Sequence, residues 1–458
     1  MDTSKNIVAT QEKGLPLWRI AVFGLGNFAS QLSWNMVSTY LSIFYTDAVG
    51  LSASAVATLF LIARIWDAIN DPMMGQIAER TKSRWGRFRP YIIFGAPILA
   101  ITIILTFRNP GLGTVGNLIY AYITYICLTM AYTVVNVPYG ALPYAITTNR
   151  KDVPALGAAN MIGMNLGMIL LNLITLKLVF YFGKGNNSKG YANTATLYAI
   201  IAMFLFWVVA AGTKEVVKVK KERIPVSKSL KLMFKNRNID TLMIYNILSS
   251  LAIMGRIGTM VYYYMYVINR PDLVGLFMTL PTVVGTIASL PSSWFIRKVG
   301  TKRAMYISNI LNILAFIILY MASGSRLWMV ILGNVIYGIG YIGAPAMQLM
   351  LRDSVDRTEL ETGCRIDGTV AGFNGLISKI SNAVGASIAL YMIGAAGYVG
   401  GQEVTPKIAE GINKAANRLP LICVLLSFIP LFLVKISDKD SEILQQMLNE
   451  KRRQKESN

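Results

Sequence analysis

No histidine occurs in the 458 residues. That absence excludes a Ser/His/Asp triad, a His-ligated zinc and an imidazole proton relay. Charge is also scarce, at 15% of residues against roughly 25% in soluble domains. Cysteine is nearly absent. Cys127, Cys364 and Cys423 are odd in number, widely spaced and outside any CxxC pattern. They predict neither a disulfide framework nor a zinc site, but free thiols buried among apolar groups. Acids are the rarer charge, 23 Asp+Glu against 44 Lys+Arg, for a net +21. In a soluble chain that excess would point to nucleic acid. Here 54% of residues are hydrophobic and mean hydropathy is +0.48, so no nucleic-acid partner is expected.

What is abundant is long apolar runs. A helix needs about 20 apolar residues to cross a bilayer. Twelve windows satisfy this, near 17–46, 53–77, 88–107, 113–145, 154–182, 191–213, 240–268, 272–296, 303–323, 327–351, 366–397 and 419–435. The first is too long for a signal-peptide core and reads as an uncleaved span. Backbone groups in lipid must be satisfied internally, so runs of this length are helices. The expected fold class is an all-α membrane protein of twelve transmembrane helices in two six-helix halves. Its solvent is membrane lipid.

Charge placement supports the count. With the N-terminus inside and loops assigned alternately, 32 of the 44 Lys+Arg fall on the cytoplasmic side. This predicts a multi-pass protein of the cytoplasmic membrane with both termini cytoplasmic. The division predicted is an N-terminal half 1–213, a basic linker 214–239, a C-terminal half 240–435 and a charged tail 436–458 forming a surface helix. A faint internal echo supports two related halves. The basic, Gly-containing turn Gly75–Arg87 after the second span matches Trp294–Arg303 after the eighth. No sequence feature fixes an oligomeric state.

The informative residues are those that cost energy in a membrane. Asp67 and Asp71 are the two acids deep in a span, in Ala63-Arg-Ile-Trp-Asp-Ala-Ile-Asn-Asp-Pro72. Four residues apart, they share a helix face and repel. The pair is tolerable if a cation lies between them, a basic group neutralises them or one is protonated. Each of these is a step in ion coupling. Asn70 adds a neutral oxygen, and Pro72 removes a helical hydrogen bond and frees a carbonyl. A structural pairing of Asp67 with Arg64 is the competing reading. Lys379, in the eleventh span, is too deep to snorkel and is expected to face a wet cavity or the two aspartates. Arg256 and Lys177 are weaker candidates of the same kind.

Neutral polar and aromatic residues interleave along the expected pathway: Asn27, Gln31, Trp34, Asn35, Tyr132, Thr133, Asn136, Asn160, Asn165, Tyr245 and Asn246. Such a lining suits a hydroxyl-rich solute, and each residue singly also suits interhelical hydrogen bonding. The Gly24-Leu-Gly26 pair is too short for a nucleotide fingerprint and predicts close helix packing. No cofactor is expected beyond a co-transported Na+ or H+. A membrane enzyme holding magnesium diphosphate would need a second acid cluster, so the chain is expected not to be an enzyme.

Three segments, Tyr45–Leu51, Arg64–Gly75 and Ser83–Pro90, resemble the glycoside–pentoside–hexuronide:cation symporters, a branch of the major facilitator superfamily. Val137-Pro-Tyr139, Asp353–Glu359, Thr362–Gly368, Lys379 and Gly385 extend the resemblance over nearly the whole chain. It implies cation-coupled symport of a glycoside or related sugar by alternating access. It also implies a cation site of Asp67, Asn70, Asp71 and Thr133. Asn136 stands where a galactoside carrier of the family has an aspartate, so the site is one acid poorer. The sugar site matches less well. Gln31 replaces an aspartate, the arginine expected near Asn160 and Met161 is absent, and Gly140 and Ala344 replace tryptophans. Substrate contacts are expected from Gln31, Tyr132, Asn136 and Lys379, in a wider, less acidic and less aromatic pocket. A larger or more anionic glycoside, such as a hexuronide, would fit it. The alternative is a cation-coupled carrier of a non-sugar solute such as a lipid or amphiphile.

Overall fold

The computed structural model describes residues 14–147, 152–215, 226–364, 366–435 and 447. The expected tail helix and most of the N-terminal segment fall outside them. The helices are α1 (17–48), α2 (Ala53–Arg80), α3 (Arg89–Thr106), α4 (Gly113–Ala141), α5 (Asp152–Gly183) and α6 (Asn187–Gly212). Then come α7 (Arg237–Ile257 and Met260–Val267, bent by 45°), α8 (Pro271–Ser289), α9 (Thr301–Met321), α10 (Leu327–Thr362), α11 (Asp367–Ala395) and α12 (Pro406–Leu433). A short linker helix, Val226–Lys235, precedes α7. Among the described residues, ten of these are unbroken helices long and apolar enough to cross a bilayer and the bent α7 makes an eleventh; α1 is the twelfth long helix and falls outside that apolar set. No strand occurs among the described residues.

Local chemistry sets the ends. Ser52, Asn186 and Thr405 cap α2, α6 and α12 by accepting backbone N–H groups, which replaces bonds the first turn lacks. α12 starts well before the predicted 419. Its first turns carry Lys407, Glu410, Lys414 and Arg418, which hide the helix from a hydropathy reading, and Lys414 pairs with Glu410 at 2.7 Å. The two echoing turns share a backbone feature as well as composition. Gly86 and Gly300 have φ of +103° and +96°, a region open mainly to glycine.

α3 shows how a span divides its faces. Ile92, Ala96, Leu99 and Ile103 are buried, whereas Phe94, Ile98, Ile101 and Leu105 are exposed. An apolar outer stripe suits hydrocarbon, and the inner face packs on α4 and α6. The Gly24 and Gly26 expectation is met. A Cβ on Gly24 would come within 2.6 Å of the Ala159 carbonyl of α5, and one on Gly26 would strike the Tyr139 ring. Of the thiols, all free, Cys423 is buried as expected, but Cys127 is exposed and Cys364 intermediate. Cys127 lies on a surface-facing stripe of α4, where a small apolar group has no need of burial.

The halves pack α2 on α11, α5 on α8 and the end of α1 on α7. Among the described residues, the hydrogen bonds joining the halves lie toward the end remote from the basic loops. Ser387 donates to the Ala57 carbonyl, Thr58 pairs with Tyr391, and Asn172 donates to the Met278 carbonyl. Asp47 accepts hydroxyls from Thr46 and Tyr398, each at 2.6 Å, and from Tyr266. Thr46 also pairs with Tyr262 at 2.9 Å. The bundle is thus clasped at one end.

Candidate functional site

Halfway along α2, helical spacing turns Asp67 and Asp71 toward α4 and α11. Asp67 is 6% exposed. Thr133 of α4 donates to Asp71 Oδ1 at 2.7 Å, and the Lys379 ammonium of α11 contacts the other oxygen of Asp71. Arg64, one turn before Asp67, lies 3.8 Å from its carboxylate. The Arg64 guanidinium sits 4.3 Å over the ring of Trp34, which stacks on Tyr132 at 4.5 Å. Two acids therefore face two bases, and the fixed charges balance. Among the described residues Asp67 Oδ1 has no hydrogen-bond partner. Among the described residues no third acid, histidine or cysteine joins a cluster with them.

These groups wall a cavity of about 230 Å³. Asp67, Asp71, Tyr132, Thr133, Asn136 and Lys379 all line it. Ser30 lies 2.7 Å from the Tyr132 hydroxyl and donates to Asn136 Oδ1, which fixes both residues at the cavity wall. Lys379 keeps 47% of its side chain exposed to this space, so it can exchange Asp71 for another anion. Hard monovalent cations take oxygen ligands, and Asp67, Asp71 and Thr133 present them from two helices.

Two expected residues are not brought in. Asn70 is half-buried on the same turn but outside the lining, and among the described residues its buried amide nitrogen has no partner. Gln31 also lies outside the lining. It packs against α5, where a Cβ on Gly167 would approach its own Cβ to 2.8 Å. Conversely, Arg64, Met254 and Asn382 line the cavity, and none was expected to meet a solute. Arg64 was legible as an intramembrane charge. Met254 and Asn382 carry no signal that separates them from packing residues.

Other polar positions serve the bundle. Asn27 donates to the Asn160 carbonyl, and Tyr139 donates to the Asn160 side chain. Arg256 is fully buried but is not a second Lys379. It donates to Asn417, Asn334, Tyr264 and the Ala416 carbonyl inside the C-terminal half. Lys177 is exposed.

Comparison with known proteins places this geometry. Residues 22–438 match the family described as MFS/sugar transport protein. The chain is 31% identical to the isoprimeverose transporter of Lactiplantibacillus pentosus, over 92% of this chain and 89% of that one. It is 30% identical to a putative glycoside/cation symporter of Escherichia coli, over 93% of each. In fold it is similar to a bacterial homolog of the human lysosomal transporter Spinster in an inward-facing, unoccupied conformation. The TM-score is 0.65 at 11% identity, covering 95% of this chain and 97% of that one.

Proposed function

Since the chain belongs to the MFS/sugar transport protein family, we propose that it carries a glycoside or related sugar across the cytoplasmic membrane together with Na+ or H+. It is a multi-pass membrane transporter, not an enzyme. The observation that carries the reading is Asp71, held by Thr133 of one half and by Lys379 of the other in one cavity with Asp67. The names of the relatives, a sugar transporter and a glycoside/cation symporter, favour this over an amphiphile carrier.

In this reading the cation is cargo and takes oxygens of Asp67, Asp71 and Thr133. To enter, it displaces the Lys379 ammonium, because the two acids are already balanced by two bases. Lys379 then turns to the solute. Loss of the Lys379 link frees α11 from α2, so occupancy biases the equilibrium between the two faces. Solute and cation each raise the other's affinity through that shared step. Tyr132 and Asn136 hold solute hydroxyls, and Trp34 offers a ring face to the sugar. The basic loops and both termini lie on the cytoplasmic side, and segment 214–239 divides the halves. The clasp at Asp47 therefore closes the outer end.

Membrane vesicles energised by a sodium gradient or by a proton gradient separately test this with a panel of glycosides, including isoprimeverose and a glucuronide. Accumulation above equilibrium under one gradient is expected. Equal, gradient-independent equilibration of every sugar would overturn it.

A further inference from the structure

The turn between α2 and α3 is held more firmly than a connecting loop requires. Ser83 accepts the Trp85 N–H and donates to the Gly86 carbonyl. Glu215, just after α6, accepts the N–H groups of Arg87, Phe88 and Arg89 at 2.9, 2.8 and 3.0 Å. A side chain at Gly86 is ruled out twice, because φ is +103° and a Cβ would meet that carboxylate at 2.5 Å. Arg89 is used inside the turn, where it donates to the Ala210 carbonyl. What this scaffold holds outward is Arg84 and Trp85.

Trp85 packs on Phe94 with ring centroids 5.6 Å apart, and Phe94 heads the exposed outer stripe of α3. Trp207 of α6, also exposed, donates to the carbonyl of Ile93, the residue before Phe94. Trp85 therefore stands where hydrocarbon gives way to polar headgroups, the level at which tryptophan collects. The Arg84 guanidinium lies 4.4 Å over the Trp85 ring. Stacking uses the face of the guanidinium and leaves its N–H edge, which suits phosphate oxygens. Arg84 is exposed, and among the described residues no acid pairs with it. Segment 79–89 carries five basic residues and one acid, and the Glu215 carboxylate is spent on backbone N–H groups. The turn between α8 and α9 repeats the arrangement. Trp294 is exposed, Lys298 Nζ lies 5.2 Å over its ring, and Gly300 has φ of +96°. Lys302 is the base used internally here, donating to the Phe432 and Val434 carbonyls at the end of α12. Segment 292–303 carries four basic residues and no acid.

We propose that each of these turns binds one acidic phospholipid, with its phosphate on Arg84 or Lys298 and its glycerol and first acyl carbons on Trp85 or Trp294. A zwitterionic lipid brings its own cation, which the surplus of bases repels, so an anionic headgroup is the one selected. Both turns lie at the end remote from the Asp47 clasp. In the proposed topology that end faces the cytoplasmic leaflet, where acidic lipids collect. Neither site depends on which solute the central cavity carries.

The test counts the lipids retained by the purified full-length protein in detergent, by native mass spectrometry. The probes are phosphatidylglycerol, phosphatidylcholine with the same acyl chains, and inorganic phosphate. The unmodified protein is expected to hold two phosphatidylglycerol molecules, each about fivefold or more tighter than phosphatidylcholine, the preference set by the surplus positive charge. Arg84→Gln and Lys298→Gln should each remove one of the two, and the double variant both. Lys407→Gln makes the same loss of charge at an exposed position beside the clasp, and should keep both. A turn variant that retains both lipids overturns the site at its own turn. Equal affinity for the two lipids, or an equal loss in Lys407→Gln, overturns both sites. Displacement of the lipid by an equal concentration of inorganic phosphate would also overturn them, since the tryptophan and the acyl chains would then contribute nothing.

Discussion

Lys379 reaches Asp71 from the opposite half, and this makes one side chain both a counter-charge and a fastener. Asp71 is 14% exposed and Asp67 less, so neither carboxylate is well hydrated when its base is removed. An uncompensated buried charge is costly, and the coupling cation is the available compensation. In Lys379→Met the competing ammonium is gone, so the cation is expected to bind about tenfold tighter, roughly 1.4 kcal/mol. Cation titration of thermal stability reads this directly. Weaker or unchanged binding would show that Lys379 helps hold the ion instead of competing with it. The charged residues of the site were legible in the sequence because ionisable groups stand out in apolar runs. Asn70 lies outside the cavity lining, since adjacent helix positions differ by about 100° and only Asp71 of the two lines the cavity.

At the scale of the element, length and hydropathy exposed ten unbroken spans and the bent α7 among the described residues, but not their irregularities. α1 contains two π turns, Gln31–Asn35 and Phe44–Ala48. Such turns have no apolar signature, and each extra residue rotates the remainder of the helix by about 100°. Gln31 and Trp34 both lie on the first, and it is Trp34 that lines the cavity. Asp47, the centre of the clasp, lies on the second. The close approach of α1 and α5 depends on Gly24. Gly24→Leu is expected to overpack this contact and cost about 1–3 kcal/mol, seen as a lower melting temperature in detergent. Gly140→Ala is the control, because a Cβ there meets nothing within 4 Å. Equal melting temperatures for the two variants would mean that α1 and α5 can separate freely.

At the scale of the molecule, the two halves meet through the clasp at one end and through Asp71 and Lys379 at the middle. Alternating access requires the clasp to open. Asp47→Asn removes one of the two carboxylate oxygens that gather Thr46, Tyr266 and Tyr398, so the open population should rise. Ser42, 1% exposed beneath the clasp, reports it. On a background with the three native cysteines replaced by serine, Ser42→Cys should react severalfold faster with a membrane-impermeant thiol reagent when Asp47→Asn is present. An unchanged rate would show that the clasp does not hold that end of the bundle shut. The net +21 belongs to this scale too. In the proposed topology most of it lies on the cytoplasmic side and orients the bundle, while the site itself pairs two acids with two bases.

The central claim is that cation and sugar share one linked site built on Asp71. Equilibrium binding of a transported sugar to the purified protein, with and without the coupling cation, tests it most directly. The account predicts that the cation tightens sugar binding, by roughly 5–150-fold on the scale of such couplings, and that Asp71→Asn abolishes the effect while still binding sugar. The same sugar affinity with and without the cation in the unmodified protein would contradict it.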